Sequence, residues 1–422
     1  MSKVNEFLKK YQMDASNINI DDALNKFTLE INKGLARFNT IDECSIPMIP
    51  TFLNPNIDLK KGEKVIVVDA GGTNLRVGIA KYDGKDFEVT DCTEDKMPAV
   101  DREYSANEFF DYIAIRCIPY LDQATNIGFC FSYQVAMDAS LDGKLVAWAK
   151  EIKAIEVVGK YVGKSLLDAI KKYSPVERKI VVLNDTTAVL LGGKMLDYDH
   201  EFKKYVGAIY GTGFNCCYIE DSKNIKKFDN LSGDMIINTE TGNFNGFTRG
   251  LFDDELTNES ALKNEALTEK MSSGRYLASL IYKATLKAVE DGLLSKDTKL
   301  PDYKGFKLSF VSMYLAGLHN DLDECFASSD DIETFKEISY ALINRASKIV
   351  ATTIGAFAIK SGVDKIGIIL EGSTFYKLPT FKESFNDYLK EILDKYHIYY
   401  RLIDGRGRNL IGAAVAAMCK VS

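Results

Sequence analysis

The run Val65–Ile79, VIVVDAGGTNLRVGI, decides how the rest of the chain is read. Four β-branched residues, Val65 to Val68, predict a buried strand, and DAGGTN cannot continue it, so the strand is expected to stop at Asp69. Gly71 and Gly72 let backbone N–H groups come close to an anion. Thr73 adds a hydroxyl and Arg76 a fixed positive charge, which is the chemistry of a phosphate cradle. The following stretch, Leu75–Tyr82, carries Val77 and Ile79 among small residues and predicts a second strand, not a helix. Neither a Walker loop nor a dinucleotide fingerprint fits, since both lead from their glycines into a helix. On this motif alone, a phosphate site and a plain glycine hairpin between core strands are equally good readings.

With 422 residues the chain has room for roughly two or three domains and a large core. Hydrophobic residues at 46% and charged residues at 27%, with only 8 prolines, mark a globular protein and exclude long disorder. The formal charge is −7 and no basic run offsets it, which argues against a nucleic-acid partner and requires local positive charge for any anionic substrate. The N-terminus, MSKVNEFLKKYQMD, lacks the apolar core of a signal peptide, and no segment reaches about 18 uninterrupted apolar residues. No membrane partner is expected, and the expected location is cytoplasmic. The eight cysteines form no CxxC pair, and Cys130, Cys216 and Cys217 lie in apolar strand-like runs, so buried reduced thiols are expected in place of disulfides or zinc. His200, His319 and His397 all stand apart from the glycine motifs. Acid–base chemistry therefore falls to carboxylates.

Residues 17–38 carry apolar side chains at helical spacing, and Ser45–Pro55 holds three prolines and predicts an extended crossing between domains. Ala106–Leu121 and Gly163–Tyr173 predict helices, and Asn126–Phe131 predicts a strand leading into Ser132. Lys150, beside the only tryptophan, reads by itself as a surface lysine. Lys179–Leu183 predicts a buried strand ending on Asn184 and Asp185. At that carboxyl end an aspartate is either catalytic or a helix N-cap. Tyr205–Glu220 repeats strand, glycine turn and strand, with Thr212, Gly213 and Asn215 at the turn. Two such hairpins facing each other can hold one polyphosphate, as in a duplicated fold that closes on a nucleotide. Asn238 and Glu240 end another apolar strand, and a helix opening near Ala266 carries Glu269. These carboxylates suit either chelation of a metal or hydrogen bonds from hydroxyls. Tyr276–Leu294 and Ile332–Lys360 predict helices, Gly367–Leu370 a strand entering a third glycine turn at Gly372 and Ser373, and Asn409–Met418 a helix packed closely on a sheet.

Ten of these segments occur together in one order: SIPMIPTF, DAGGTNLRVG, GFCFSY, the WAK segment, NDTTAVL, GTGFNCCYIE, INTETGNF, EKMSSGRYL, EGSTFY and GAAVAAM. Over about the whole chain they resemble the hexokinase and glucokinase group of eukaryotic type. The resemblance implies an α/β, two-domain actin-like ATPase (ribonuclease H-like) fold with a cleft between a small domain, residues 60–200 plus 406–422, and a large one, residues 1–59 plus 201–405. It implies transfer of the γ-phosphate of ATP, with Mg²⁺, to the 6-hydroxyl of glucose or a related hexose. Asp185 then becomes the general base, and Lys150 a sugar-binding residue that offsets charge on the transferring group. Ser132, Asn184, Asn215, Asn238, Glu240 and Glu269 would take the remaining hydroxyls. Gly71, Gly72, Thr73, Asn74 and Arg76 would face one side of the phosphates, Thr212 and Gly213 the other, and Gly372 and Ser373 the adenosine. Asp69 would orient the water shell of Mg²⁺.

The sequence departs from the family pattern at four of these places. Ala149 replaces the threonine before the sugar-binding lysine, Gln134 a proline, Thr241 the tryptophan of the NTEWG motif, and Glu371 the aspartate of DGS. A glutamine- and proline-rich piece before EKM is replaced by Asn258–Leu267. One lost hydroxyl contact is worth about 0.5–1.5 kcal/mol, so these changes bear on which sugar is preferred. A kinase for mannose, fructose or an amino sugar, or a catalytically weak sugar sensor, are the alternatives. Whether the chain acts as a monomer or a homodimer is left open.

Overall fold

The computed structural model describes residues 2–36, 44–148 and 152–419. Two helices open the chain, α1 (Lys3–Lys10), capped by Ser2, and α2 (Ile20–Leu35), capped by Asn19. The second buries Ala23, Leu24, Phe27, Ile31 and Leu35 as one stripe at helical spacing. It starts later than the 17–38 span expected, because Ala15–Asn17 form a separate 3₁₀ turn, and residue 38 lies outside the described residues. The proline-rich crossing contains a short strand, β1 (Ile49–Pro50), at a sheet edge where proline's missing N–H costs little.

The first glycine motif forms the expected antiparallel hairpin of β2 (Lys64–Ala70) and β3 (Asn74–Tyr82), one residue beyond the stop expected at Asp69. After β4 (Phe87–Lys96) come α3 (Ala106–Cys117), β5 (Asn126–Phe131), a ribbon of β6 (Gln134–Met137) and β7 (Gly143–Ala147), α4 (Val162–Ile170), β8 (Lys179–Leu183) and α5 (Asp185–Lys194). Five of these strands make a sheet in the order β4-β3-β2-β5-β8, with β2, β5 and β8 parallel.

The second half repeats the plan with more helices. An antiparallel meander of β9 (Lys204–Tyr210), β10 (Phe214–Asp221) and β11 (Asp234–Asn238) leads into α6 (Leu251–Glu259), α7 (Leu267–Ser272), α8 (Gly274–Glu290), α9 (Leu308–Leu315) and the long α10 (Ser329–Lys360). Then follow β12 (Lys365–Glu371), α11 (Ser373–Lys377), α12 (Phe381–Lys395), β13 (Tyr399–Asp404) and α13 (Asn409–Ala417). This sheet runs β1-β11-β10-β9-β12-β13, with β9, β12 and β13 parallel. Leaving β1 aside, both sheets are three antiparallel strands followed by two parallel ones. That is the duplication the two glycine hairpins implied.

The two closing helices join the halves. Although α5 follows the five-stranded sheet, it packs on β9 and β12 of the other, while α13 follows the six-stranded sheet and packs on β2 and β5. They touch each other through glycine: a Cβ on Gly412 would stand 1.8 Å from the Ala188 carbonyl oxygen, and one on Gly192 would stand 2.3 Å from that of Arg408. Each carboxyl strand end is thereby aimed at the space between the sheets, where open α/β folds bind ligands. Within the second half, Arg345 of α10 is buried, and its Nη1 donates to Asp253 Oδ1 of α6 at 3.2 Å, which fixes the helical block that carries α7.

Candidate active site

The first glycine turn is held on three sides. Gly71 N–H donates to the Asn74 carbonyl at 3.0 Å, Met97 N–H to that of Thr73 at 2.8 Å, and the Tyr133 hydroxyl to that of Gly71 at 2.7 Å. Asp69, 5% exposed, ends the buried part of β2. Arg76 Nη1 lies 3.8 Å from Asp69 Oδ2, and its Nε donates to Glu94 Oε2 at 3.0 Å. Asn74 Nδ2 donates to the other oxygen of Glu94 at 2.6 Å. Thr73 and Asn74 are exposed, and Gly72 is half-buried. Glu94 was not singled out from sequence. Its place depends on the β3–β4 register, which sets Arg76 directly opposite it.

The second turn is closed by Gly211 N–H on the Gly213 carbonyl at 3.0 Å and braced by the start of α8, where Gly274 and Arg275 N–H donate to the carbonyls of Gly211 and Thr212. The third motif is not a hairpin, because Ser373 starts a helix. Gly372 has φ of 118°, and a Cβ there would lie 2.1 Å from the Tyr210 carbonyl oxygen, so only glycine allows this approach to the end of β9. The result is a cleft of about 650 Å³ lined by Thr212 and Ser373 together with Gly274, Arg275, Lys307 and Thr374. Arg275 and Lys307 supply the positive charge that an acidic chain needs for an anion. Arg275 lies inside the EKMSSGRYL segment, but neither residue had been given a role.

The polar residues of the other cluster converge from both halves. Asn184 occupies the cap of α5, its Oδ1 accepting from Thr186 N–H at 2.9 Å, and Asp185 is the first helical residue, accepting from the same N–H at 2.7 Å. The cap is therefore the asparagine. A carboxylate at Asp185 sits at the positive end of the helix. Across the gap the amide chain is directional: Cys216 and Thr241 N–H donate to Asn215 Oδ1 at 2.7 and 3.3 Å, Asn215 Nδ2 to Asn238 Oδ1 at 2.8 Å, and Asn238 Nδ2 to Glu240 Oε1 at 2.8 Å. Glu269 Oε2 accepts from Phe214 N–H at 3.1 Å. Glu240 has φ of 52°, a left-handed backbone that a non-glycine residue adopts only where its surroundings impose it. A cavity between the halves is lined by Tyr133, Val135, Leu183, Asn184, Asn238 and Glu240.

Charge crowding marks the same place. Desolvation pushes the Glu240 carboxyl up to about 7, the Asn238 amide opposes this, and the charges of Asp185 and Glu269 add to it. Desolvation also raises Glu371, with Asp185 and Asp69 contributing in the same direction. The buried Cys130 thiol is pushed well up by burial and then by Asp69 and Asp185, so those two aspartates flank one strand end. Ser132, next along, donates its N–H to the Ala70 carbonyl at 3.2 Å. Lys150 and Ala149 lie outside the described residues. Thr241 is fully buried, and its hydroxyl has no hydrogen-bond partner. Gln134 is exposed at the start of β6. Among the described residues no three His, Cys, Asp or Glu side chains converge on a possible metal position, and no helix is long and apolar enough to cross a membrane.

Sequence profiles of the hexokinase family match residues 3–195 and 205–419. Hexokinase-1 of Homo sapiens is 27% identical over 456 aligned positions, covering 98% of this chain and 48% of that protein. Hexokinase-1 of Schizosaccharomyces pombe is 29% identical over 428 positions, covering 93% of this chain and 86% of that one. The chain thus spans about half the length of the mammalian relatives it matches. In structure, a hexokinase from Schistosoma mansoni complexed with glucose superposes with a TM-score of 0.79 at 23% identity, covering 99% of this chain and 100% of that one, which gives the actin-like ATPase fold. Matched in sequence through both halves, the chain belongs to the hexokinase family.

Proposed function

We propose that the chain is an ATP-dependent hexokinase that phosphorylates the 6-hydroxyl of glucose and related hexoses, with Asp185 as general base. The observation that carries the proposal is the position of Asp185, whose charge reaches Glu240 on one side and Glu371 and Cys130 on the other. At the first residue of α5, it acts on groups contributed by both halves. Asp185 takes the proton from the 6-hydroxyl as that oxygen attacks the γ-phosphorus of ATP. The bond to the β–γ bridging oxygen breaks, and ADP leaves. Asn184, Asn238, Glu240, Glu269 and Ser132 bind the other hydroxyls, with Asn215 orienting Asn238. Amides and carboxylates left unpaired by a substrate lacking a hydroxyl penalise that substrate. Lys150 carries over from the family as a further sugar contact.

Gly71, Gly72, Thr73, Asn74 and Arg76 serve one side of the phosphates and Thr212 and Gly213 the other, with Gly372 and Ser373 near the adenosine. Asp69, whose carboxylate offers hard oxygens beside the glycine turn, would orient the water shell of Mg²⁺. When bound, the ion offsets phosphate charge. Residues 60–200 plus 406–422 form the small domain and 1–59 plus 201–405 the large one. Closure of the small domain on the sugar excludes water, a competing acceptor. The eight cysteines are free thiols, which supports a reducing compartment, the cytoplasm.

The test is sugar-dependent ADP release with Mg·ATP, comparing glucose, mannose, fructose and glucosamine for the wild type and Asp185→Ala. A glucose signal lost in the variant, with little ATPase activity without sugar, supports the proposal, whereas sugar binding without turnover replaces it with the sensor. Preference for another hexose is a second reading. It is favoured by Thr241, whose buried hydroxyl lacks a partner at a position where the family has tryptophan.

A further inference from the structure

Tyr133 belongs to both parts of the site. It lines the cavity beside Asn184, Asn238 and Glu240, and its hydroxyl donates to the Gly71 carbonyl at 2.7 Å, inside the first glycine turn. Only 2% of the residue is exposed. The ring stands edge-on to Trp148 with centroids 4.8 Å apart and lies 4.9 Å from Phe131, while Trp148 Nε1 is itself fixed on the Ala154 carbonyl at 2.8 Å. The stack backs the ring as a wall of the cavity, and the hydroxyl alone connects that wall to Gly71. The bond also occupies a carbonyl whose negative end is unfavourable beside a polyphosphate.

We propose that Tyr133 is a positioning residue that couples occupancy of the sugar cavity to the geometry of the phosphate turn. A hexose packed on the ring fixes the hydroxyl on Gly71, and the turn is then held in the form that receives the ATP phosphates. The inference rests on the cavity being the sugar site and the turn the phosphate site. Coupling between two ligands is reciprocal, so ATP must also tighten the hold on sugar, by the same factor. The ring alone supplies a wall, and the hydroxyl supplies the link.

Tyr133→Phe removes the link and keeps the wall. Glucose is titrated calorimetrically into wild type and variant, with and without a non-hydrolysable ATP analogue and Mg²⁺. The wild type is expected to bind glucose more tightly with the analogue present. The variant is expected to lose about two- to tenfold of that enhancement, the worth of one neutral hydrogen bond. Its affinity for glucose alone stays within about twofold, and its KM for ATP rises more than its kcat falls. Phe131→Leu, which loosens the same stack and leaves the hydroxyl in place, is expected to keep the enhancement. Full enhancement in Tyr133→Phe, or equal loss in both variants, overturns the role of Tyr133 and leaves the hexokinase proposal standing. A wild type whose two affinities are independent overturns it too, and a wild type that binds no hexose overturns both.

Discussion

Replacing Glu240 with glutamine is expected to stabilise the sugar-free protein at neutral pH while weakening its hold on the sugar. The folded-state carboxyl is raised from 4.5 to about 7, chiefly by desolvation and secondarily by Asp185 and Glu269. For an acid the sign is fixed: between those two values the folded state binds more protons than the unfolded one, so stability falls as pH rises through the window. The full cost is reached above pH 7. A difference of about 2.5 units at about 1.36 kcal/mol each gives an upper value of about 3 kcal/mol. Because Glu240 is half-buried, and not sealed from water, about 1–2 kcal/mol is the better expectation. Glutamine has no charge to desolvate, and its carbonyl can still accept from Asn238 Nδ2.

The assay is denaturant unfolding of wild type and Glu240→Gln without sugar at pH 5 and pH 8. The variant should be the more stable at pH 8, with the gap shrinking below about 1 kcal/mol at pH 5, where most of the wild-type carboxyl is protonated. The same variant should bind glucose about 10- to 100-fold more weakly, since a charge-assisted hydrogen bond is lost. Wild-type glucose affinity should fall below pH 7, because sugar hydroxyls that donate to Glu240 need it ionised. A stability gap of the same size at both pH values refutes the electrostatic cause, and no gap at all refutes the crowding of carboxylates behind it.

Three further outcomes are expected. Asp185→Ala should lower kcat by about 10²- to 10⁴-fold, the usual worth of a general base, with glucose binding still visible in Trp148 fluorescence; a loss under tenfold removes Asp185 from that role. Gly412→Ala should cost about 1–3 kcal/mol or more, because its Cβ would stand 1.8 Å from the Ala188 carbonyl oxygen, and thermal unfolding that matches the wild type would show that the helices do not cross this closely. Asp253→Ala should cost about 3–5 kcal/mol by leaving the buried Arg345 guanidinium unpaired, read as a drop in the denaturant midpoint, and a drop under about 1 kcal/mol would count against that buried pair.

What the sequence revealed follows from the range of the forces involved. Strand-turn-strand at 65–82 and 205–220 was legible because β-branched runs and paired glycines act within a few residues. The helix expected over 332–360, which begins at Ser329, was legible because its apolar period persists for many turns. Glu94 was not, since finding it requires the β3–β4 register, which is shifted by an irregularity between Val77 and Ile79. Arg275 and Lys307 were missed for a similar reason: they meet the third motif through tertiary packing, with the start of α8 bonded to the carbonyls of Gly211 and Thr212. For Asp185 the sequence left two roles open, and neither hydrophobic period nor composition separates a cap from a base. The structure puts Asn184 at the cap position and Asp185 on the first helical residue, and both side chains accept from Thr186 N–H. The charge of Asp185 is felt by Glu240, which is far along the chain and belongs to the other half. A raised carboxyl lining a cavity between the halves can be selected only after both halves fold. Its cost to stability is therefore a property of the assembled cleft that no single motif encodes.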